Sequence, residues 1–468
     1  MAAPSLQDGI DKAGSPVNLL WRVNPEPWNP ENIEPEYAGW RAEQGAWHSG
    51  VSLSDLSHHM FDTVIAGPGA TALLTAVSAN NYESFAIGQA KQFIPVTSRG
   101  SIVTDGILER TAEQEYTLSG IPAAQNWVKY HGEQGGYDVS FSTDPSSAFR
   151  GGADPRLFRY QVQGPLARDL VESVFGGPLP PSKFFHSVPV VLDGMEFRAL
   201  RHNMAGQDGY EFIGPWRFAA AVKDTLLQAG EKFGLVHVGA LAYASASVES
   251  GWIPSPVPAI YTDPELAGYR TWLPLFGIEG QRPLDGSFFS PNIEDYYCTP
   301  YELGYGRSIS FNHDFIGRDA LLAARESVAR TKVTLVFDPS DVRAVLGEDL
   351  GYYLTYARHR VEVSPGGPGA AGGDGGRESP VREASPPVSG ALAGLTYQTA
   401  TIDPAGTILA LTIIDKQFAE PGTEVSVVWG EHPGAGTSPD ADLGFPRIRA
   451  TVAPAPYNAH ARTQYRRS

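Results

Sequence analysis

A chain of 468 residues is longer than one ordinary core, which points to two or three domains and leaves room for a sizeable enzyme. Hydrophobic residues at 42% and aromatics at 11% exclude a chain that is disordered or fibrous as a whole. With 35 basic against 52 acidic residues, a net charge of −17 and no basic cluster beyond the tail "ARTQYRRS", nucleic acid is disfavoured as a partner and the charge mainly aids solubility.

The start, "MAAPSLQDGIDKAG", lacks the basic and apolar regions of a secretory signal, and no run of about 18 apolar residues follows, so no membrane association is expected. "NPEPWNPENIEPEY" carries prolines that forbid a long helix, so residues 1–50 are expected to be an extended strap joining the body. "GPGATALLTAVSAN" predicts a short helix with Leu73, Leu74 and Val77 on one face. "GSIVTDGILERT" and "EYTLSGI" alternate like paired strands, and the proline of "PAAQNWVKYH" suits a helix first turn.

A second round follows. "FRYQVQ" predicts a strand, and "GPLARDLVESVFG" a helix with Leu166, Leu170, Val171, Val174 and Phe175 at helical spacing and Gly176 as its stop. "VPVVLDGMEFRALRH" predicts a hairpin turning at Asp193 and Gly194, "GYEFIG" another strand, and "PWRFAAAVKDTLLQAGEKFG" a longer helix ending near Gly234. Residues 51–330 therefore read as an α+β body of two similar split units. Behind the small-residue helix "GALAYASASV" comes "ESGWIPSPVPAIYTDPE", whose four prolines stiffen the chain. From Lys332, "KVTLVF", "TYQTATID", "TILALTIID", "TEVSVVWG" and "RIRATVAP" predict a barrel or sandwich over residues 331–468. The Gly, Pro and Ser insert at 364–390 is expected to be a disordered loop.

Cys298 stands alone, which rules out an intramolecular disulfide and a thiolate metal cluster, and a cytoplasmic setting is the simplest expectation. The G-x-G-x-x-G at Gly367–Gly372 lies among glycines and Pro368, without the strand and helix that dinucleotide binding needs. Phosphate-loop, zincin and hydrolase motifs are missing from the sequence. His58 and His59 are adjacent and would point to opposite faces of a strand, so they make a poor metal pair, and no metal is expected.

"GQAKQFIPVTSRGSIVTDGI", "YQVQGPLA", "GQDGYEFIGP", "VESGWIPS" and "TPYELGYGRSISFNHDFIGRDAL" occur in the order seen in the glycine-cleavage T-protein superfamily. With "SHHM", "NIEDYY" and "ESGWIPSPVPAIY", the chain most resembles the tetrahydrofolate-dependent vanillate and syringate O-demethylases, from about Trp21 to the C-terminus outside the insert. The resemblance implies a T-protein-like folate-binding fold of two intertwined α/β units plus a C-terminal β-barrel. It also implies methyl transfer from an aryl ether oxygen to N5 of tetrahydrofolate, with no metal, flavin or nicotinamide. The partners are then folate and a small lignin-type methoxyarene, and the chain a monomer or homodimer.

Site residues follow from the same likeness. Tyr243 is the candidate proton donor to the leaving phenolate, since its ordinary pKa near 10 matches that of the product. Its alternative is a core tyrosine. The aminomethyl-transferring T-proteins align an arginine at Tyr243 and another at Ser247, and both departures argue against glycine cleavage. His59 is expected beside the substrate phenol, titrating near neutrality, with His58 nearby in the pocket. Glu211 is expected to accept paired hydrogen bonds from the pterin, Trp252 to stack on it, and Gln163 and Asp105 to make further folate contacts. The vanillate enzymes carry a carboxylate-binding arginine where this chain has Ile121, and Trp28 replaces a tyrosine, so the substrate pocket is expected to be more apolar. The competing readings are a folate-dependent transferase acting on an amine or sulfonium, and a non-catalytic folate-binding assembly or sensor protein.

Overall fold

The structure is a computed structural model describing residues 3–25, 32–202, 204–254, 256–363 and 390–463, and every element below is drawn from these. The insert, apart from Gly390, and Trp28 lie outside them.

The N-terminal region is more helical than its prolines suggest, with α1 (Leu6–Ala13), α2 (Pro16–Leu20) and α3 (Trp40–Ser49). Ser5 Oγ accepts from the Asp8 amide at 3.2 Å while Asp8 Oδ2 accepts from the Ser5 amide at 2.8 Å, a reciprocal cap that starts α1. Ser15 caps α2 ahead of Pro16. The strap expectation overlooked these local caps because the proline run that follows dominates the reading.

The chain continues through β1 (Ser52–Asp55), β2 (Phe61–Ala66), α4 (Ala70–Val77), β3 (Ala90–Phe93), β4 (Gly106–Ala112), β5 (Glu115–Gly120), α5 (Pro122–Gln134), β6 (Ser140–Asp144) and α6 (Ser147–Arg150). The expected strand at "GSIVTD" is irregular chain, and β4 begins only at Gly106. Then come β7 (Leu157–Gln163), α7 (Ala167–Phe175), β8 (Ser187–Leu192), β9 (Met195–Leu200), β10 (Gly209–Pro215), α8 (Ala219–Gly230), β11 (Val236–Val238) and α9 (Ala240–Ser250). One sheet has the order β3-β4-β5-β2-β6 and the other β11-β1-β7-β10-β9-β8. The β8–β9 turn places Asp193 at φ 50° and Gly194 at φ 80°, the two positive angles that this tight hairpin demands.

Alternation along β7 decides where the site lies. Phe158, Tyr160 and Val162 enter an apolar core with Leu53, Leu170 and Phe212. Arg159, Gln161 and Gln163 consequently fall on the other face. Register sets Gln161 opposite both Ser54 and Glu211, and Gln163 opposite Ser52. The result is a polar strip in which Ser52, Ser54, Gln161, Gln163 and Glu211 are all buried.

The C-terminal strands are β12 (Arg330–Phe337), β13 (Leu354–Thr355), β14 (Arg360–Val363), β15 (Ala391–Ile402), β16 (Thr407–Asp415), β17 (Glu424–Val428) and β18 (Arg447–Ala453). The order β15-β14-β17-β18-β12-β16 closes on itself through β15–β16 pairing, giving a barrel rather than a sandwich.

Helix α9 is clamped between α3 and this barrel. Gln44 Nε2 donates to Ser245 Oγ at 2.8 Å, Trp47 Nε1 to Glu249 Oε2 at 3.1 Å, and Ser247 Oγ to Gln398 Oε1 at 2.8 Å. The small side chains at Ala242, Ser245 and Ala246, all fully buried, permit that close approach.

Candidate functional site

Tyr243 projects from α9 among Leu56, Ala205, Ala242 and Ala246, with Met60 and Met204 partly covering the cluster. The His59 ring meets its ring edge-on, centroids 5.3 Å apart at 81°. Both lie within the field of one ion pair on the polar strip, since Glu211 and Arg159 act electrostatically on each.

That pair is more elaborate than a lone pterin-binding carboxylate. Arg159 bonds Glu211 Oε1 through Nη1, and its Nη2 reaches Asp62 at 3.2 Å and Ser119 Oγ at 3.1 Å. Gln161 Nε2 donates to Glu211 Oε2 at 3.3 Å. Glu211, 2% exposed, is thus a buried and paired carboxylate, with lone pairs left for a ligand.

Burial revises two chemical expectations. His59 is pushed down to about 4, chiefly by burial and secondarily by the Arg159 charge, so it is a neutral imidazole at pH 7 and does not titrate near neutrality. Burial also pushes the Tyr243 hydroxyl well above its ordinary value, with the Glu211 charge adding to the effect and Arg159 opposing it. The tyrosine therefore holds its proton until negative charge develops beside it.

Gln163 Oε1 accepts from the Ala205 amide at 3.2 Å, whereas its Nε2 is buried without a hydrogen-bond partner. A buried donor of this kind costs stability unless something polar meets it. Together with Glu211 and Gln161 it offers the mixed donors and acceptors that a pterin ring requires, so the strip fits a reduced folate.

Asp105 belongs to a second cluster. Its Oδ2 accepts from Trp252 Nε1 at 2.8 Å, from Gln92 Nε2 at 2.7 Å and from the Tyr305 hydroxyl. Burial raises this carboxyl while the three donors pull it back. Trp252 leaves α9 through Gly251 at φ 75°, where an added Cβ would lie 2.9 Å from Pro456 Cα.

The remaining pocket candidates are not gathered around Tyr243. His58 turns away from His59, its ring 5.5 Å from that of Trp216, and lines a cavity of about 490 Å³ with Tyr37, Asp55, Tyr160 and Lys223. Ile121 stands at the N-cap of α5 and faces Pro256 and Pro258 of the proline-rich stretch across a small cavity. Sequence reasoning missed Arg159, Gln161 and Tyr305; strand alternation from Gln163 could have found the first two.

Residues 23–255 match the family model described as the GCVT N-terminal domain. Syringate O-demethylase from Sphingobium sp. (strain NBRC 103272 / SYK-6) is 36% identical over 99% of this chain and 98% of its own length. The chain belongs to the glycine-cleavage T-protein superfamily. Within this T-protein superfamily it is also 28% identical to sesamin methylene transferase from Sinomonas sp. (strain No.22), over 90% of this chain and 89% of that protein. An aminomethyltransferase from Streptomyces avermitilis is 27% identical over 62% of the chain and 69% of its own length. The likeness in fold spans both the α+β body and the C-terminal barrel: the glycine cleavage system aminomethyltransferase T from Bartonella henselae superposes with a TM-score of 0.60, covering 96% of this chain and 95% of that one at 17% identity.

Proposed function

We propose that this chain is a tetrahydrofolate-dependent aryl methyl ether O-demethylase acting on a lignin-derived methoxyarene of the vanillate and syringate class. The full-length likeness to a syringate O-demethylase supports the reaction class. The observation that carries the reading to particular residues is the Tyr243–His59 pair lying within the field of the Glu211–Arg159 ion pair.

In this reading folate supplies N5 as the methyl acceptor, and every other task falls to the chain. Glu211, Gln161 and Gln163 hold the pterin, with Arg159 fixing the orientation of Glu211. Tyr243 donates its proton to the ether oxygen as the C–O bond breaks, which avoids expelling a free phenolate. One methyl leaves oxygen for nitrogen and one proton leaves nitrogen for oxygen, so Tyr243 is restored at the end of the cycle. Neutral His59 orients the phenol without adding a charge to the site. Leu56, Met60, Met204 and Ala246 keep water from the reacting centre.

An aminomethyl-transferring role is disfavoured by Tyr243 and by Ser247, whose hydroxyl is already given to Gln398. A cytoplasmic location belongs to the same proposal, supported by the lone buried thiol of Cys298. The test is an incubation of the purified chain with tetrahydrofolate and a methyl-labelled panel of vanillate, syringate and guaiacol, read by mass spectrometry. Labelled 5-methyltetrahydrofolate is expected; its absence across the panel would reject the assignment.

A further inference from the structure

The cavity beside His58 holds about 490 Å³, enough for a ring and its substituents. The sheet separates it from the polar strip. Side chains alternate along β7, so Tyr160 lines this cavity while its neighbours Arg159 and Gln161 face the strip and bond Glu211 there. Register sets Asp55 of β1 opposite Tyr160, and Asp55 lines the cavity as well. The following turn divides in the same way: His58 meets Trp216 edge-on at the cavity, and His59 meets Tyr243.

The walls offer rings that are already held in place. Tyr37 stacks on His237, centroids 3.6 Å apart at 17°, yet remains 46% exposed. Trp216 is braced by the His58 ring at 5.5 Å. Flat surfaces fixed in this way take up an aromatic ring with little further loss of side-chain freedom.

The charges around the cavity do not balance. Lys223 Nζ donates to Asp55 Oδ2 at 3.0 Å, so those two answer each other. Arg217 is a surplus cation: its guanidinium lies over the Phe218 ring at 4.4 Å and makes no ion pair with a carboxylate among the described residues. His58 adds no charge at pH 7, because burial lowers it, with Asp55 opposing and Arg150 and Lys223 assisting. Its Nδ1 is buried without a hydrogen-bond partner, a demand that a polar ligand answers. Two cations against one carboxylate leave this cavity positive in a chain whose net charge is −17. An anion is its complement.

We propose that this cavity is a second ligand site, distinct from the folate strip, that takes a small planar aromatic anion, with its ring against Tyr37 and Trp216 and its anionic group on Arg217 and Lys223. Carboxylate and phosphate both suit that charge, so a hydroxybenzoate and a purine nucleotide share the required chemistry. The site stands on these residues alone and does not depend on the demethylase reading.

Calorimetry on the full chain separates the sources, with protocatechuate, adenosine monophosphate, inorganic phosphate and neutral catechol as probes. At least one of the two aromatic anions is expected to bind at a site that Arg217→Gln weakens roughly tenfold. Ala220→Trp, which fills the cavity from its exposed rim, should abolish that binding. Saturating tetrahydrofolate should leave it unchanged, because the sheet stands between the two sites. Binding of protocatechuate alone, or of the nucleotide alone, supports the site and names its source. Phosphate or catechol binding as tightly as the aromatic anions overturns the proposal, as does binding by neither aromatic anion. Affinity that neither substitution moves belongs to the reacting centre and overturns it too. Arg217 and Ala220 are both exposed, so the substitutions leave the core intact; should Ala220→Trp still fail to fold, Arg217→Gln reads the same affinity.

Discussion

Replacing Tyr243 by phenylalanine removes one oxygen and little else. The ring keeps its neighbours Leu56, Ala242 and Ala246 and its edge-on contact with His59 at 5.3 Å, so the fold should lose no more than about 1 kcal/mol. The chemical step should suffer far more. Positioned general acids contribute on the order of 10²–10⁴-fold, which is about 3–5 kcal/mol of barrier. Because burial raises the tyrosine well above its ordinary value, its proton is present throughout the neutral and mildly alkaline range, and the wild-type rate should show no alkaline fall from this group below about pH 10. Single-turnover formation of 5-methyltetrahydrofolate, with folate affinity measured alongside by calorimetry, separates chemistry from binding. Unchanged affinity with a loss of at least roughly 100-fold in rate is expected. Wild-type turnover in Tyr243→Phe would refute the proton-donor role.

Three further outcomes follow from buried polar groups. Arg159→Met leaves the Asp62 and Glu211 carboxylates buried without their shared cation, and chemical denaturation should report a loss of about 3–5 kcal/mol. Gln163→Leu deletes the unpartnered Nε2 donor but also the Oε1 that accepts from the buried Ala205 amide, so stability should fall by about 1–3 kcal/mol while tetrahydrofolate affinity falls roughly tenfold. His359 is stacked on Trp429 at 4.6 Å with both ring nitrogens buried and unpartnered, and burial holds it near 4. As pH falls below 6.5 the unfolded chain binds a proton there that the folded chain refuses, so stability is lost on acidification. His359→Phe should remove that loss, and its advantage over the wild type should grow by about 2–3 kcal/mol between pH 7.5 and 4.5 in denaturant titrations.

The sequence by itself determined the elements whose signals are local. Leu73, Leu74 and Val77 repeat at helical spacing, Asp193 and Gly194 tolerate positive φ, and the short strands after Lys332 alternate with turn residues, so each was legible without knowledge of its neighbours. Tyr243 and His59 stood out only through likeness to a family, because nothing in "ALAYASAS" or "SHHM" says which face is covered. Tertiary structure alone decided the rest. It closed the C-terminal strands into a barrel by pairing β15 with β16, a choice between edges that no single strand encodes. It turned His58 toward Trp216 and His59 toward Tyr243. It drew Arg159, from the strand facing β10, onto Glu211, and placed Arg282 across a cavity from Ile121, 161 residues away in the chain. The physical reason is common to all of these. A protonation state, an ion pair and an unmet hydrogen bond depend on what burial removes and what replaces it, and both are set by residues distant in sequence.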